Sequence, residues 1–385
     1  MAIEFIDPQI ASPIQTLPAI GPAAPPRADA PWESPQAAPP VRIGVIGYGY
    51  WGPNLVRNFS EVPGSQVWAV SDKRPELLAQ AHARYPAINV TDDSHAMIED
   101  PLVEAVVIMT PVSTHFDLAM EALQAGKHVL VAKPIATSSE QASRLIEEAA
   151  RRRLVLMVDH TFLYTGAVRR IKELVDSGSL GRLYYYDSVR VNLGLFQRDV
   201  NVLWDLAVHD LSIMDYVLGA QPCAVAATGA AHVEGKPVNM AYLTCFFEDE
   251  LLAHHHVNWL APVKVRRTLV CGDRQMIVYD DLEPSEKVKI YDKGITLTNR
   301  PEGVYESMIG YRTGDMWAPK LSLTEGLRAE AQDFLECIRQ GRRPLSDGES
   351  GLRVVRILEA ATQSLAQRGQ PVELLESNPI AQQAV

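Results

Sequence analysis

Several groups of residues in this chain have the types and spacing that carry chemistry. The first is G-Y-G-Y-W-G, in which Gly47, Gly49 and Gly52 follow the short apolar run 43–46 and precede a helix-like pattern. A strand, a glycine turn and a helix start together bring a dinucleotide's pyrophosphate onto backbone N–H groups. Gly47 permits the turn, Gly49 lets the backbone approach the phosphates, and Gly52 lets helix and strand close up. Asp72 ends the next apolar run, where it can accept hydrogen bonds from both adenosine ribose hydroxyls, which favours NAD. Lys73 and Arg74 stand beside it, and an arginine there can pair with a 2′-phosphate. NADP therefore stays open, although the Asp72 carboxylate would repel that phosphate.

Lys133 follows the buried-looking run 127–132 in V-A-K-P. Ligands of open α/β sheets sit at the carboxyl ends of the strands, so this lysine would point at the cleft. There it could donate to a substrate hydroxyl and stabilise the charge that develops on its oxygen. An exposed loop lysine is the plain alternative. Asp205 and His209, in W-D-L-A-V-H-D, are four residues apart, so a helix would put both on one face. A carboxylate beside an imidazole orients it and favours the imidazolium, which suits a histidine accepting a proton near neutral pH. An ordinary surface Asp–His pair has the same spacing. His254, His255 and His256 suggest a metal tract, but on a strand only His254 and His256 would share a face, and no metal site is expected. Lys264, Arg266 and Arg267 could meet a phosphate or carboxylate, or simply form a solvated strand edge.

The elements that must position these residues change character along the chain. Residues 1–40 are rich in Pro and Ala and read as a flexible arm that cannot form a hydrogen-bonded ladder. From residue 41 to 160, strands expected at 43–46, 66–70, 104–109, 127–132 and 154–158 alternate with helices at 53–59, 75–85, 94–99, 113–125 and 138–152. That alternation implies a parallel, doubly wound sheet. From residue 161 to 375 the pattern is α+β. A helix is expected at 167–177, a strand at 183–193 and a helix at 203–218. Hairpins follow at 242–247 with 251–260 and at 265–271 with 276–279. Helices at 323–339 and 351–368 and a tail, 376–385, finish the chain. The expected class is α/β, a Rossmann dinucleotide-binding domain followed by an α+β domain with a large, mostly antiparallel sheet.

Composition narrows the function classes. The chain has 385 residues, 47% hydrophobic and 22% charged, as a globular protein of two ordinary domains would. A formal charge of −11 argues against nucleic acid, whose phosphates need a basic face. No apolar run reaches the length of a membrane span, and no basic stretch precedes an apolar one at the N-terminus. The four cysteines form no C-x-x-C pair and read as core residues of a reducing compartment. The expected location is the cytoplasm.

Taken together, these motifs resemble the glucose–fructose oxidoreductase / inositol dehydrogenase / MocA family over residues 41–375. The resemblance rests on G-Y-G-Y-W-G, on T-P-V-S-T-H at 110–115, on A-G-K-H-V-L-V-A-K-P at 125–134 and on W-D-L-A-V-H-D. The stretch 187–205 is similar to members associated with nucleotide-sugar and surface-polysaccharide pathways. The resemblance implies NAD(P) held by Gly47, Tyr48, Gly49, Tyr50, Trp51, Gly52, Asp72, Lys73, Arg74, Thr110, Pro111, His115 and Lys133. It implies an open sheet that builds a homodimer or homotetramer, and reversible oxidation of a sugar ring hydroxyl. Lys133 matches the family's catalytic lysine, with Asp205 and His209 its D-x-x-x-H pair; Arg190, Asn192, Arg198 and His209 are candidate sugar contacts. Ala132 stands where the family usually has Glu, and Val208 where relatives often have Pro. Two alternatives stay open: a glycoside hydrolase that keeps its NAD and works by oxidation and elimination, and a non-catalytic nucleotide-binding protein.

Overall fold

The apolar runs of the first part pair as one parallel sheet. The computed structural model describes residues 39–194, 196, 200–298 and 308–374, so the expected arm (but for Pro39 and Pro40) and the tail from residue 376 lie outside them. Strands β1 (Val41–Ile46), β2 (Ser65–Ser71), β3 (Asn89–Thr91), β4 (Ala105–Ile108), β5 (His128–Ala132) and β6 (Leu156–Asp159) lie in the order β3-β2-β1-β4-β5-β6. Every pairing among them is parallel. The order reverses between β1 and β4, which opens a crevice at their carboxyl ends. All four residues of β4, A-V-V-I, are buried, as in a strand covered on both faces. Helices α1 (Gly52–Glu61), α2 (Pro75–Arg84), α3 (Ser94–Glu99), α4 (His115–Gln124) and α5 (Ser139–Arg152) link these strands. Proline sits in the first turn of α1, where its missing N–H has no partner to lose, and Leu55, Val56 and Phe59 turn inward.

Past a short 3₁₀ turn, Thr161–Tyr164, and α6 (Gly166–Asp176), the chain builds a second sheet. Its strands are β7 (Leu183–Leu193), β8 (Ala224–Ala230), β9 (Met240–Phe246), β10 (Leu252–Asn258), β11 (Leu260–Gly272), β12 (Met276–Asp280), β13 (Val288–Tyr291), β16 (Met316–Trp317) and β17 (Val372–Glu373). They run in the order β16-β13-β12-β11-β7-β10-β9-β8-β17, antiparallel except for β10 with β7. β14 (Gly294–Thr298) and β15 (Met308–Arg312) pair separately. Period two decides the faces. Tyr186, Ser188 and Arg190 of β7 and Ala253, His255 and Val257 of β10 are buried. Their alternates Tyr185, Leu252 and His254 line an open face with Tyr242 of β9.

The inner face is covered by α7 (Val208–Leu218) and α9 (Gly348–Ala366), with Arg353 of α9 donating twice to Asp215 of α7 at 2.9 and 2.8 Å. Helix α8 (Gly326–Gln340) returns to the first sheet: Phe334 meets Phe59 of α1 edge to face, and Glu325 pairs with Arg57. The link between α8 and α9 covers the edge strand β6, with Val158 N–H donating to Ser346 O at 2.8 Å. Next to it, α9 comes so close that a Cβ on Gly351 would lie 2.8 Å from Val158 Cγ2. Among the described residues, no helix is long and apolar enough to cross a membrane.

Candidate active site

The glycine turn leaves β1 and is shaped for a close ligand. Gly47 has φ +96°, a region that L side chains rarely adopt, and a Cβ there would lie 2.5 Å from Met109 O. A Cβ on Gly52 would collide with the Gly47 carbonyl. Gly47 N–H donates to Ser71 O at 2.7 Å and Tyr48 N–H to Asp72 Oδ2 at 2.8 Å, tying the turn to the end of β2. Tyr48 itself turns into the core, whereas Tyr50 and Trp51 remain 82% and 53% exposed beside the turn. Large aromatic rings left exposed next to a glycine cradle fit a dinucleotide, with its planar bases and its pyrophosphate. Across the crevice, the loop after β4 carries Thr110 and Pro111. His115 is buried, with its ring nitrogens 2.8 Å from the carbonyls of Thr110 and Pro134. It staples the β4 loop to the segment that follows Lys133.

Lys133 leaves the end of β5 through a cis peptide bond to Pro134. Its Nζ donates to the backbone carbonyl of Asp205 at 2.8 Å and lies 3.4 Å from Asp205 Oδ1. The other oxygen, Oδ2, accepts from Trp259 Nε1 at 2.9 Å. Trp259 is 1% exposed, so the carboxylate is held from a buried and immobile side. Burial pushes the Lys133 amine below its ordinary value, and the Asp205 charge opposes that shift.

His209, in the first turn of α7, does not pair with Asp205 as the spacing suggested. The chain is a π turn over Leu203–Ala207, whose i→i+5 bonding breaks the α-helical phase that would stack the two side chains. His209 instead meets the Phe162 ring at 5.2 Å, edge to face, and its buried Nδ1 has no hydrogen-bond partner among the described residues. Desolvation, then Lys133, Arg190, His160 and Arg266, hold its pKa well below the ordinary value, so the ring is neutral rather than cationic. His160, which follows β6, is also buried, with both ring nitrogens unpartnered among the described residues, and burial takes its pKa down to about 4.

Arg190 is likewise not a free sugar contact. It lies on the inner face of β7, donates from Nε and Nη2 to Asp210 at 2.9 Å each, and covers the Phe162 ring at 4.6 Å. Arg266 covers the same ring at 5.7 Å and pairs with Asp281. Asn192, two residues beyond Arg190 on the same face of β7, is half-buried beside Gly194, whose N–H donates to Trp259 O. It makes no side-chain hydrogen bond among the described residues and is available to a ligand. Arg198 lies outside the described residues. Of the histidine tract, His255 is buried and bonded to Ser188 Oγ at 2.7 Å, while His254 and His256 stack on Tyr242 on the open face. Among the described residues, no group of three or more His, Cys, Asp or Glu could hold a metal ion. Lys73 and Lys264 are exposed, and Arg267 pairs with Asp280. Sequence reasoning missed Trp259, Phe162 and His160. The strand-end argument that selected Lys133 after β5 applies equally to His160 after β6; nothing local marks the other two.

Two family models match the chain. One, described as an oxidoreductase family with an NAD-binding Rossmann fold, matches residues 41–160. The other, described as the C-terminal alpha/beta domain of an oxidoreductase family, matches residues 172–374. The chain is similar to UDP-N-acetylglucosamine 3-dehydrogenase of Acidithiobacillus ferrooxidans, 29% identical over 323 residues, covering 82% of this chain and 94% of that protein. It is similar to myo-inositol 2-dehydrogenase of Thermotoga maritima, 24% identical over 346 residues, with 85% and 97% covered. Among solved structures, that of the Acidithiobacillus enzyme matches with a TM-score of 0.70 at 27% identity, covering 85% of this chain and 98% of that one. An aldose-aldose oxidoreductase from Caulobacter crescentus, complexed with glycerol, matches with a TM-score of 0.74 at 19% identity, covering 87% and 100%, a likeness of fold.

Proposed function

The chain belongs to the glucose–fructose oxidoreductase / inositol dehydrogenase / MocA family of NAD-binding oxidoreductases, and from that premise we propose that it oxidises a ring hydroxyl of a nucleotide sugar. NAD, held by the glycine turn with Tyr50, Trp51 and the Thr110–Pro111 loop, would supply the hydride acceptor. The Lys133 ammonium donates to the reacting oxygen and stabilises the charge that develops on it. His209, uncharged, accepts the hydroxyl proton. Asp205 holds the lysine amine in place, Trp259 holds Asp205, and Asn192 contacts the sugar. One observation supports this reading above the rest: a desolvated lysine and a neutral imidazole with an orphan nitrogen lie within electrostatic reach at the carboxyl edge of the parallel sheet. The higher identity to a UDP-sugar dehydrogenase, 29% against 24% for the inositol dehydrogenase, favours a nucleotide sugar over a free polyol.

NAD reduction with a panel of UDP-sugars and free polyols tests the reading. Turnover is expected with a UDP-sugar, and Lys133→Ala is expected to lower kcat by about a hundredfold or more. A protein that binds NAD but turns over none of the UDP-sugars would refute it. The reading includes a cytoplasmic setting, supported by four unpaired cysteines. It also includes a homodimer or homotetramer built on the open sheet face, supported by the exposure of Tyr185, Tyr242 and Leu252 there.

A further inference from the structure

The carboxyl end of β6 brings a second carboxylate to the neighbourhood of Lys133. In the register of β5 with β6, Val131 pairs with Val158 and Ala132 with Asp159. Paired residues of neighbouring strands stand about 5 Å apart, with their side chains on one face of the sheet. Leu130 and Met157, two residues back in each strand, belong to the core that Phe59 of α1 and Phe334 of α8 help to fill. By period two, Ala132 and Asp159 face that same layer, and Lys133 is the next residue along from Ala132.

Helix α8 places Glu330 against Asp159. Its first turn lies on the 3₁₀ turn, since a Cβ on Gly326 would be 3.0 Å from Thr161 O. One turn further on, Tyr164 donates from its hydroxyl to Asp333 Oδ2 at 2.8 Å. Between these contacts Glu330 is fully buried and shares a side-chain hydrogen bond with Asp159. The Thr161 hydroxyl donates to Asp159 Oδ1 and lies 3.2 Å from Glu330 Oε2. Burial, then Asp159, keep the proton on Glu330, so Glu330 donates and Asp159 accepts. Among the influences on Lys133, burial lowers its pKa, whereas Asp205 and after it Asp159 raise it.

We propose that Asp159 is a positioning residue for Lys133: from the neighbouring strand it supplies the carboxylate that Ala132 lacks, and Glu330 and Thr161 hold it there. Moving a carboxylate between the paired positions 159 and 132 keeps it on one face and at one level of the sheet. The proposal rests on Lys133 working as an ammonium, as in the function given above. Its test reads the amine directly, with NAD bound and no sugar, so failure of sugar oxidation and failure of this proposal are separate results.

The full chain is labelled with carbon-13 lysine and titrated by NMR, the Lys133 signal being the one that Lys133→Met removes. Asp159→Asn, whose amide oxygen can still accept from Thr161, is expected to move the midpoint of that signal about half a pH unit or more lower. Adding Ala132→Glu to this variant is expected to return about half of the shift or more. The alkaline limb of kcat/KM moves in the same directions. Thermal melting confirms that each variant is folded. A midpoint that Asp159→Asn leaves in place overturns the proposal. So does a folded Ala132→Glu, Asp159→Asn double variant that stays at the Asp159→Asn midpoint, which would make Asp159 only a partner for Glu330.

Discussion

At the scale of single residues, the charge on Lys133 is set by a contest between burial and Asp205. Burial is the larger influence and lowers the pKa; the Asp205 carboxylate raises it. Asp205→Asn removes the opposing charge while keeping the side-chain shape and one of the two acceptors, so the lysine loses its proton at a lower pH. Where the ammonium is the working form, the alkaline limb of kcat/KM moves to lower pH in this variant. NAD affinity, measured by titration, stays unchanged. An unmoved limb would show that Asp205 does not act through Lys133. Lys133 was legible in the sequence because a strand end in a parallel sheet has a known orientation. The partner of Asp205 was not legible. Spacing reports what shares a helix face, whereas Trp259 reaches Asp205 from 54 residues away and the π turn shifts the phase.

At the scale of elements, segments with a pattern of their own were readable, down to the six-residue α3, and strands that depend on their neighbours were not. The strand expected at 183–193 is β7, and both expected hairpins formed as β9 with β10 and β11 with β12. β8, an A-V-A-A-T-G-A run of low strand propensity, and the two-residue β16 and β17 exist only through pairing with neighbours. Helix α8 hides a residue whose role only its surroundings reveal. Glu330 is fully buried, Thr161 donates to its Oε2 at 3.2 Å, and it shares a side-chain hydrogen bond with the neighbouring Asp159. Burial, then Asp159, holds its pKa well above the ordinary 4.5, so the folded protein keeps this carboxyl protonated. A raised carboxyl contributes stability that is fully present below pH 4.5 and is lost as pH rises through the folded value. Glu330→Gln is expected to remove that loss. In urea unfolding it should match the unaltered chain near pH 4.5 and exceed it in midpoint at pH 8; a lower midpoint at both would refute the protonated state.

At the scale of the whole molecule, His160, His209 and His255 are buried and neutral, with pKa values pushed below 6.5 by burial, to about 4 for His160 and His255. Their unfolded counterparts take up protons at higher pH, so their contribution is complete above pH 6.5 and is lost as pH falls toward 4. Thermal melts across that window should fall steadily, and His255→Asn should flatten the slope. A slope unchanged in that variant would assign the acid sensitivity elsewhere. The return of α8 and α9 to the first sheet has a further consequence, for synthesis. These helices begin at Gly326 and Gly348, after every strand of the parallel sheet has been made. Until they emerge from the ribosome, the β6 edge lacks the Ser346 carbonyl and the apolar surface of Val158 and Ile135 lacks Gly351 of α9. The nascent chain must therefore carry an open strand edge and an uncovered apolar surface until translation nears its end. The last edge of the parallel sheet is therefore closed late in synthesis, and until then it is open to pairing with other chains.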